Sequence, residues 1–302
     1  MTAPLTAEIE KFIGHLSHER GLSPHTAAAY RRDLDYFRRY CEQQQVADWN
    51  AVDIHHVRAF VSARHRTGLT SRSLQRELSA VRSFYNYLLR EQRVHNNPAN
   101  GVPAPKAQRR LPVTLDTDQM AKLLEINGQN PQVVRDRAIM ELLYSSGLRL
   151  AELISIKLTD ISLADATVRV TGKGAKTRIV PVGRKAREAL GAWFKLRAEL
   201  AKPHDDWLFV GPHGGRLSPR TLQARLRRWG AAQGIALGIH PHLFRHSFAS
   251  HILESSGDLR AVQELLGHAS ISTTQIYTHL DFQHLAHIYD QAHPRARKKV
   301  RS

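Results

Sequence analysis

Residues 96–105, Asn96-Asn97-Pro98-Ala99-Asn100-Gly101-Val102-Pro103-Ala104-Pro105, do most to restrict how this chain can fold. Three prolines and a glycine within ten residues interrupt both a helical hydrogen-bond ladder and a central strand. Lys106, Arg109 and Arg110 follow, so the stretch is predicted to be an extended basic linker. The patterning differs on its two sides, which places a domain boundary there: residues 1–95, a linker over 96–110, and residues 111–302.

The first domain is predicted to be helical throughout. Leu5 to Arg20 is one candidate helix. Ser23-Pro24 has the form of a cap followed by proline at the first helical position, opening a second helix that runs to Cys41. A third runs from about Val52 to Arg66, with Ile54, Val57 and Val61 on one face. A fourth runs from about Ser71 to Glu91, where Leu74, Leu78, Val81, Tyr85 and Leu88 recur at helical spacing and should face a core.

The second domain is mixed. Val133 to Ser146 is a helical pattern ended by Gly147. Thr167 to Thr171 and Thr177 to Val182 alternate as two strands around the turn Gly172-Lys173-Gly174-Ala175. Beyond them the pattern is helical again. Ser218-Pro219 caps a helix that turns Leu222, Leu226 and Trp229 inward, and Pro241 opens another with Phe244, Phe248 and Ile252 buried.

Charge narrows the function. The chain of 302 residues carries 44 Lys+Arg against 27 Asp+Glu, a formal net charge of +17. That excess suits a polyanion, because each neutralised phosphate releases counterions. With 42% hydrophobic residues the chain folds rather than remaining a disordered polycation. Arg31 and Arg32 on the second helix, Arg72 and Arg76 one turn apart on the fourth, and Arg220 beside the Ser218-Pro219 cap are the candidate DNA contacts. One cysteine, Cys41, allows no internal disulfide. The first sixteen residues carry Glu8, Glu10 and Lys11, unlike a signal peptide. A cytoplasmic location is expected.

Five places in the second domain combine a chain breaker with a cation or nucleophile. Arg149 follows Gly147. Lys173 sits between Gly172 and Gly174. His242 and Arg245 are one turn apart behind Pro241. His268 follows Gly267. Tyr277 lies in the helix opened by the capping box Ser272-Thr273-Thr274-Gln275. Singly, each has an ordinary structural reading as a turn, a helix end or a surface side chain. Together they suit phosphodiester transfer. Two arginines can hold the non-bridging oxygens, a tyrosine hydroxyl can attack phosphorus, a histidine can take its proton, and a lysine can protonate the departing 5′ oxygen. No acidic cluster or phosphate-binding glycine loop points to a two-metal nuclease or a P-loop ATPase. Arginine among His240, His242 and His246 argues against a metal centre, so neither metal nor cofactor is expected.

Arg149, Lys173, His242-x-x-Arg245, His268 and Tyr277, in this order and spacing, resemble the tyrosine recombinase (phage integrase) family over essentially the whole chain. Glu254 to Arg260, Leu265 to His268 and Ser272 to His279 are similar to the Xer branch. The tail Leu280 to Leu285 and Ala292 to Ala296 resembles XerC-type more than XerD-type members. The resemblance implies a mainly α fold with a small β-sheet: a two-domain clamp of a helical core-binding domain and an α+β catalytic domain around double-stranded DNA. It implies a 3′-phosphotyrosyl intermediate, a heterotetramer with a XerD-like recombinase, activation by an FtsK-like translocase, and resolution of chromosome dimers at cell division. A phage or mobile-element integrase is the same-class alternative, and a non-catalytic architectural DNA binder the alternative from another class. Leu285, Ile288 and Tyr289 recur at helical spacing in the tail. The resemblance implies that this helix docks on a neighbouring protomer rather than on its own catalytic domain.

Overall fold

The computed structural model describes residues 3–19, 24–104, 106, 114–172, 176–266 and 292–294. The chain divides into two compact units, Met1–Arg110 and Leu111–Ser302.

Among the described residues the first unit holds the α-helices α1 (Ala3–His18), α2 (Pro24–Gln43), α3 (Ile54–Arg66) and α4 (Ser71–Arg90). Leu74, Leu78, Val81, Tyr85 and Leu88 form the buried face of α4, as their spacing requires. Asp53 caps α3 by accepting from the His56 amide at 2.9 Å, and Thr70 caps α4 through the Ser73 amide. An aromatic cluster fills the centre. Phe37 packs on Trp49 at 5.8 Å and on Phe60 at 5.0 Å, and Phe12 meets Phe84 at 5.5 Å. The polar ends of these rings are satisfied: Trp49 Nε1 donates to Leu5 O at 3.2 Å and the Tyr85 hydroxyl to Trp49 O at 3.1 Å.

The proline-rich stretch joins this unit before it leaves it. Ala99 and Val102 are buried in the same core. Arg82 donates to the carbonyls of Ala99 and Val102, and Asn97 Nδ2 donates to Arg82 O at 3.1 Å and Asn86 Oδ1 at 2.7 Å. The prolines end the helical pattern, and hydrogen bonds with Arg82 and Asn86 hold the stretch on α4.

The second unit is built on α6 (Pro131–Ser146), which is buried on nearly every side. The helix starts two residues before its apolar pattern, because Asn130 accepts from the Gln132 amide at 2.8 Å and Pro131 occupies the first turn. Beside it lie α5 (Thr117–Leu124), α7 (Leu150–Ile154), α8 (Arg184–Leu196), α9 (Pro219–Ala232), α10 (Pro241–Ser256) and α11 (Leu259–Leu266). A small antiparallel sheet, in the order β1 (Ile161–Ser162), β2 (Thr167–Thr171), β3 (Thr177–Pro181), pairs Val168 with Val180 and Val170 with Arg178. Strands β2 and β3 were legible in the sequence; β1 is too short to show a period.

Buried charges on α6 form one network. Asp136 accepts from Arg135 Nη2 at 3.0 Å, from Arg225 Nε, and from Trp229 Nε1 at 2.8 Å. Trp229 is therefore half-buried, with its apolar side inward and its N–H spent on Asp136. The tail reading changes at one point. Ala292 and His293 are buried in this unit, the His293 ring lying 4.7 Å from Tyr144 and 5.7 Å from Phe248. That part of the tail covers its own unit, where contact with the Tyr144 and Phe248 rings offsets the desolvation of the buried imidazole. The expected helix over Leu285, Ile288 and Tyr289 lies outside the described residues.

Candidate active site

The last turn of α6 sets the geometry. Ser145 Oγ accepts from the Gly183 amide at 2.8 Å and Ser146 Oγ donates to Pro181 O at 2.8 Å, pinning the helix end to the end of β3. Gly147 then turns left-handed at φ 57°, and a β-carbon there would lie 2.6 Å from Phe248 Cδ1. Only glycine meets both demands.

Two residues later Arg149 begins α7. Its amide donates to Glu152 Oε2 at 2.8 Å and its Nη1 to Glu152 Oε1 at 2.8 Å. The guanidinium is 39% exposed, so it is anchored at one edge and open at the other. Glu152 is buried, and it also accepts both terminal nitrogens of Arg178 on β3, Nη1 at 2.9 Å and Nη2 at 3.0 Å. Burial alone would raise the Glu152 carboxyl, but the donors on Arg178 and Arg149 outweigh it and hold it below the usual carboxylate range.

Arg245 arrives from α10 and is buried. Its Nη1 donates to Gly147 O and its Nη2 to Leu266 O, both at 2.7 Å. One guanidinium thus ties the end of α6 to the end of α11, two residues before His268. Burial, then the positive field of Arg149, push its pKa down to about 10, which leaves it charged at neutral pH. Three guanidiniums near one carboxylate leave this cluster net positive, the electrostatics a phosphodiester needs.

His242 stands exposed on the first turn of α10, with the His240 and His246 rings each 6.5 Å away. His240 caps the helix, accepting from the Leu243 amide at 3.2 Å. Burial, then the neighbouring His242, push His240 and His246 down, favouring neutral imidazoles. His242 and Arg245 share a helical edge, but His242 faces solvent while Arg245 turns inward. Among the described residues no group of three His, Cys, Asp or Glu side chains could hold a metal ion. Lys173, His268 and Tyr277 lie outside the described residues.

Glu152 and Arg178 were not singled out in the sequence. A signal existed on β3. Arg178 shares the inward face with Val180, whereas Ile179 is 54% exposed, so the usual alternation is inverted at a charged residue.

The expected DNA contacts fall in both units. Arg31 and Arg32 line a hollow of about 440 Å³ with Arg39 and Tyr36. Arg31 pairs with Glu10. Arg76 reaches the buried Asp33 of α2 at 2.9 Å, with Arg32 4.0 Å from the same carboxylate. Arg72 is exposed on α4. In the second unit Arg220 lines a separate hollow with Gln132, Arg135 and Arg225.

The sequence pattern of the Phage integrase family matches residues 113–284, and that of the Phage integrase N-terminal SAM-like domain matches residues 9–92. The chain therefore belongs to the phage integrase family of tyrosine recombinases, enzymes that bind DNA and recombine it at specific sites. It is 56% identical over 292 residues to a protein named tyrosine recombinase XerC from Pseudomonas savastanoi pv. phaseolicola, covering 96% of this chain and 97% of that one. It is 53% identical over 296 residues to a protein of the same name from Pseudomonas aeruginosa (strain LESB58), covering 98% and 97%. Among solved structures, a XerH site-specific recombinase bound to a palindromic difH substrate superposes with a TM-score of 0.71 at 26% identity, over 90% of this chain and 81% of that one. A lambda integrase dimer bound to a core site shares the fold, with a TM-score of 0.70 at 20% identity, over 90% and 99%. Among the described residues no helix is long and apolar enough to cross a membrane.

Proposed function

We propose that this chain exchanges DNA strands in the cytoplasm at a short chromosomal site. It would act in a heterotetramer with a XerD-like recombinase, under an FtsK-like translocase, and resolve chromosome dimers at cell division. Residues 1–95 serve as the core-binding domain, 96–110 as the linker and 111–302 as the catalytic domain. The Tyr277 oxygen attacks the scissile phosphorus and the bond to the 5′ oxygen breaks, leaving a 3′-phosphotyrosyl ester. Arg149 and Arg245 hold the non-bridging oxygens as charge builds there. His242 and His268 serve the proton of the Tyr277 hydroxyl, and Lys173 protonates the departing 5′ oxygen. The ester keeps the energy of the broken bond, so a second 5′ hydroxyl can reverse the step without metal or nucleotide.

The observation that carries this reading is the convergence of Arg149 and Arg245, 96 positions apart in sequence, on the Gly147 turn. A nicked recombination site incubated with the protein should trap a covalent adduct, in EDTA as well as in magnesium. Tyr277→Phe should bind the site and form none. An adduct from Tyr277→Phe at the wild-type level, or a strict need for one divalent ion, refutes the assignment.

A further inference from the structure

Two buried acids of the first unit are neutralised in opposite ways. Glu77 of α4 is closed off. Arg64 of α3 meets it with Nε at 3.0 Å and Nη2 at 2.7 Å, and the same guanidinium lies over the Tyr36 ring, 4.0 Å from its centroid. Asp33 of α2 is left open. Its side chain is wholly buried, yet among the described residues neither oxygen receives an aligned hydrogen bond. Arg76 Nη1 reaches one oxygen from α4 at 2.9 Å, and Arg32 Nε stands 4.0 Å from the other.

An ion pair that serves stability buries both partners and completes their hydrogen bonds, as Arg64 and Glu77 nearly do. At Asp33 only the anion is buried: the Arg76 side chain is 38% exposed and that of Arg32 60%. A guanidinium carries five N–H donors, so the exposed side of Arg76 can meet a second anion from outside. The two cations also belong to a basic strip. Arg31 adjoins Arg32 on α2, and Arg72 lies one turn before Arg76 on α4.

We infer that Asp33 is a positioning residue that stands in for a DNA phosphate: its carboxylate holds Arg76 and Arg32 where α2 packs on α4 while DNA is absent, and yields them to backbone phosphates when DNA binds. The inference rests on the reading of Arg32 and Arg76 as DNA contacts. Its consequence is a proton. A phosphate drawn to these arginines repels the buried carboxylate and takes its counter-charge, so DNA binding brings proton uptake at Asp33. Facing this carboxylate are Arg32 from α2, Arg64 from α3, and Arg76 and Glu77 from α4. Burial, opposed first by Arg76, lifts it to about 6 in the free protein. By reciprocity, a proton taken up with DNA makes DNA bind more tightly as pH falls through that value.

The test measures binding of the full-length chain to a mixed-sequence duplex of about 30 base pairs, because backbone contacts carry no sequence requirement. Fluorescence anisotropy is read from pH 5 to 7.5 and over a range of salt. Asp33→Asn should bind about three- to tenfold more tightly than the wild type at pH 7.5. The two should bind about equally at pH 5, where the wild-type carboxyl is itself neutral. An ordinary aspartate stays ionised over this range, so removing one gives a gain that does not change with pH. Arg76→Gln should weaken binding and reduce the salt slope by about one. If Asp33→Asn does not fold, the wild type carries the test: at pH 6.5 the Asp33 ¹³C carboxyl signal should move toward the protonated form when the duplex is added. Asp33→Asn binding no more tightly than the wild type at pH 7.5, a ratio constant with pH, or a carboxyl signal unmoved by DNA overturns the inference while the arginine contacts stand. If Arg76→Gln and Arg32→Gln both bind as the wild type does, with unchanged salt slopes, the contact reading fails and the inference falls with it.

Discussion

Gly147 presents its carbonyl to Arg245 Nη1 at 2.7 Å while its α-carbon passes so close to Phe248 that no β-carbon fits. The turn that orients the arginine is therefore held by packing from the same helix that carries it. Gly147→Ala adds left-handed strain and overpacks Phe248. It should cost about 2–4 kcal/mol in chemical unfolding. Cleavage should fall further than the lost folded fraction accounts for, because the Arg245 acceptor moves. A variant with wild-type stability and rate contradicts this geometry.

Arg245→Lys should not be a mild change. An ammonium is a point donor and cannot bridge Gly147 O and Leu266 O at once. Adduct formation should drop by about 10²–10³-fold, the range for losing one preorganised donor, with site binding in gel shifts much less affected. Equal losses in binding and cleavage would show that Arg245 acts on affinity alone.

Asp33 gives the first unit a pH dependence. Burial, partly opposed by Arg76, lifts its carboxyl from the ordinary 3.8 to about 6. The folded state then takes up a proton between those values. The contribution of this group to stability is full below pH 4 and is lost as pH rises through about 6, by at most about 3 kcal/mol. Asp33→Asn should remove that dependence. The melting-temperature difference, wild type minus variant, should move in favour of the wild type between pH 7.5 and 5. A constant difference across that range would count against a raised carboxyl.

Asp136→Ala strands buried Arg135, which keeps only Val210 O at 2.9 Å, and strips Arg225 and Trp229 of their shared acceptor. A broken buried ion pair costs about 3–5 kcal/mol, so the variant should unfold at markedly lower denaturant. A loss below about 1 kcal/mol would show that Arg135 finds water or another partner.

His293→Ala removes a ring packed on Tyr144 and Phe248 and should lower the stability of the second unit by about 1–3 kcal/mol. Truncation before Ala292 should do the same. Unchanged melting in both would mean that the tail leaves this pocket freely and belongs to a neighbour.

Much of this protein is local and therefore readable along the chain. Leu74 to Leu88 announce the buried face of α4 because helical spacing is a property of consecutive residues. Alternation at Val168 and Val170 likewise marks β2. Breakers beside Arg149, His242 and Arg245 mark the turns that free a side chain for chemistry, and the order of those residues carried the family. Other features join residues with no local rhythm. Glu152 meets Arg178 across 26 positions, Arg245 meets Gly147 across 98, and Ala99 and His293 end in cores that their own neighbours do not predict. A buried charge can survive only where the fold brings it partners, and those partners come from other elements. The sequence by itself marked the residues proposed for the chemistry; only tertiary packing, by removing water from Glu152 and Arg245, decided how Arg149 and Arg245 are held.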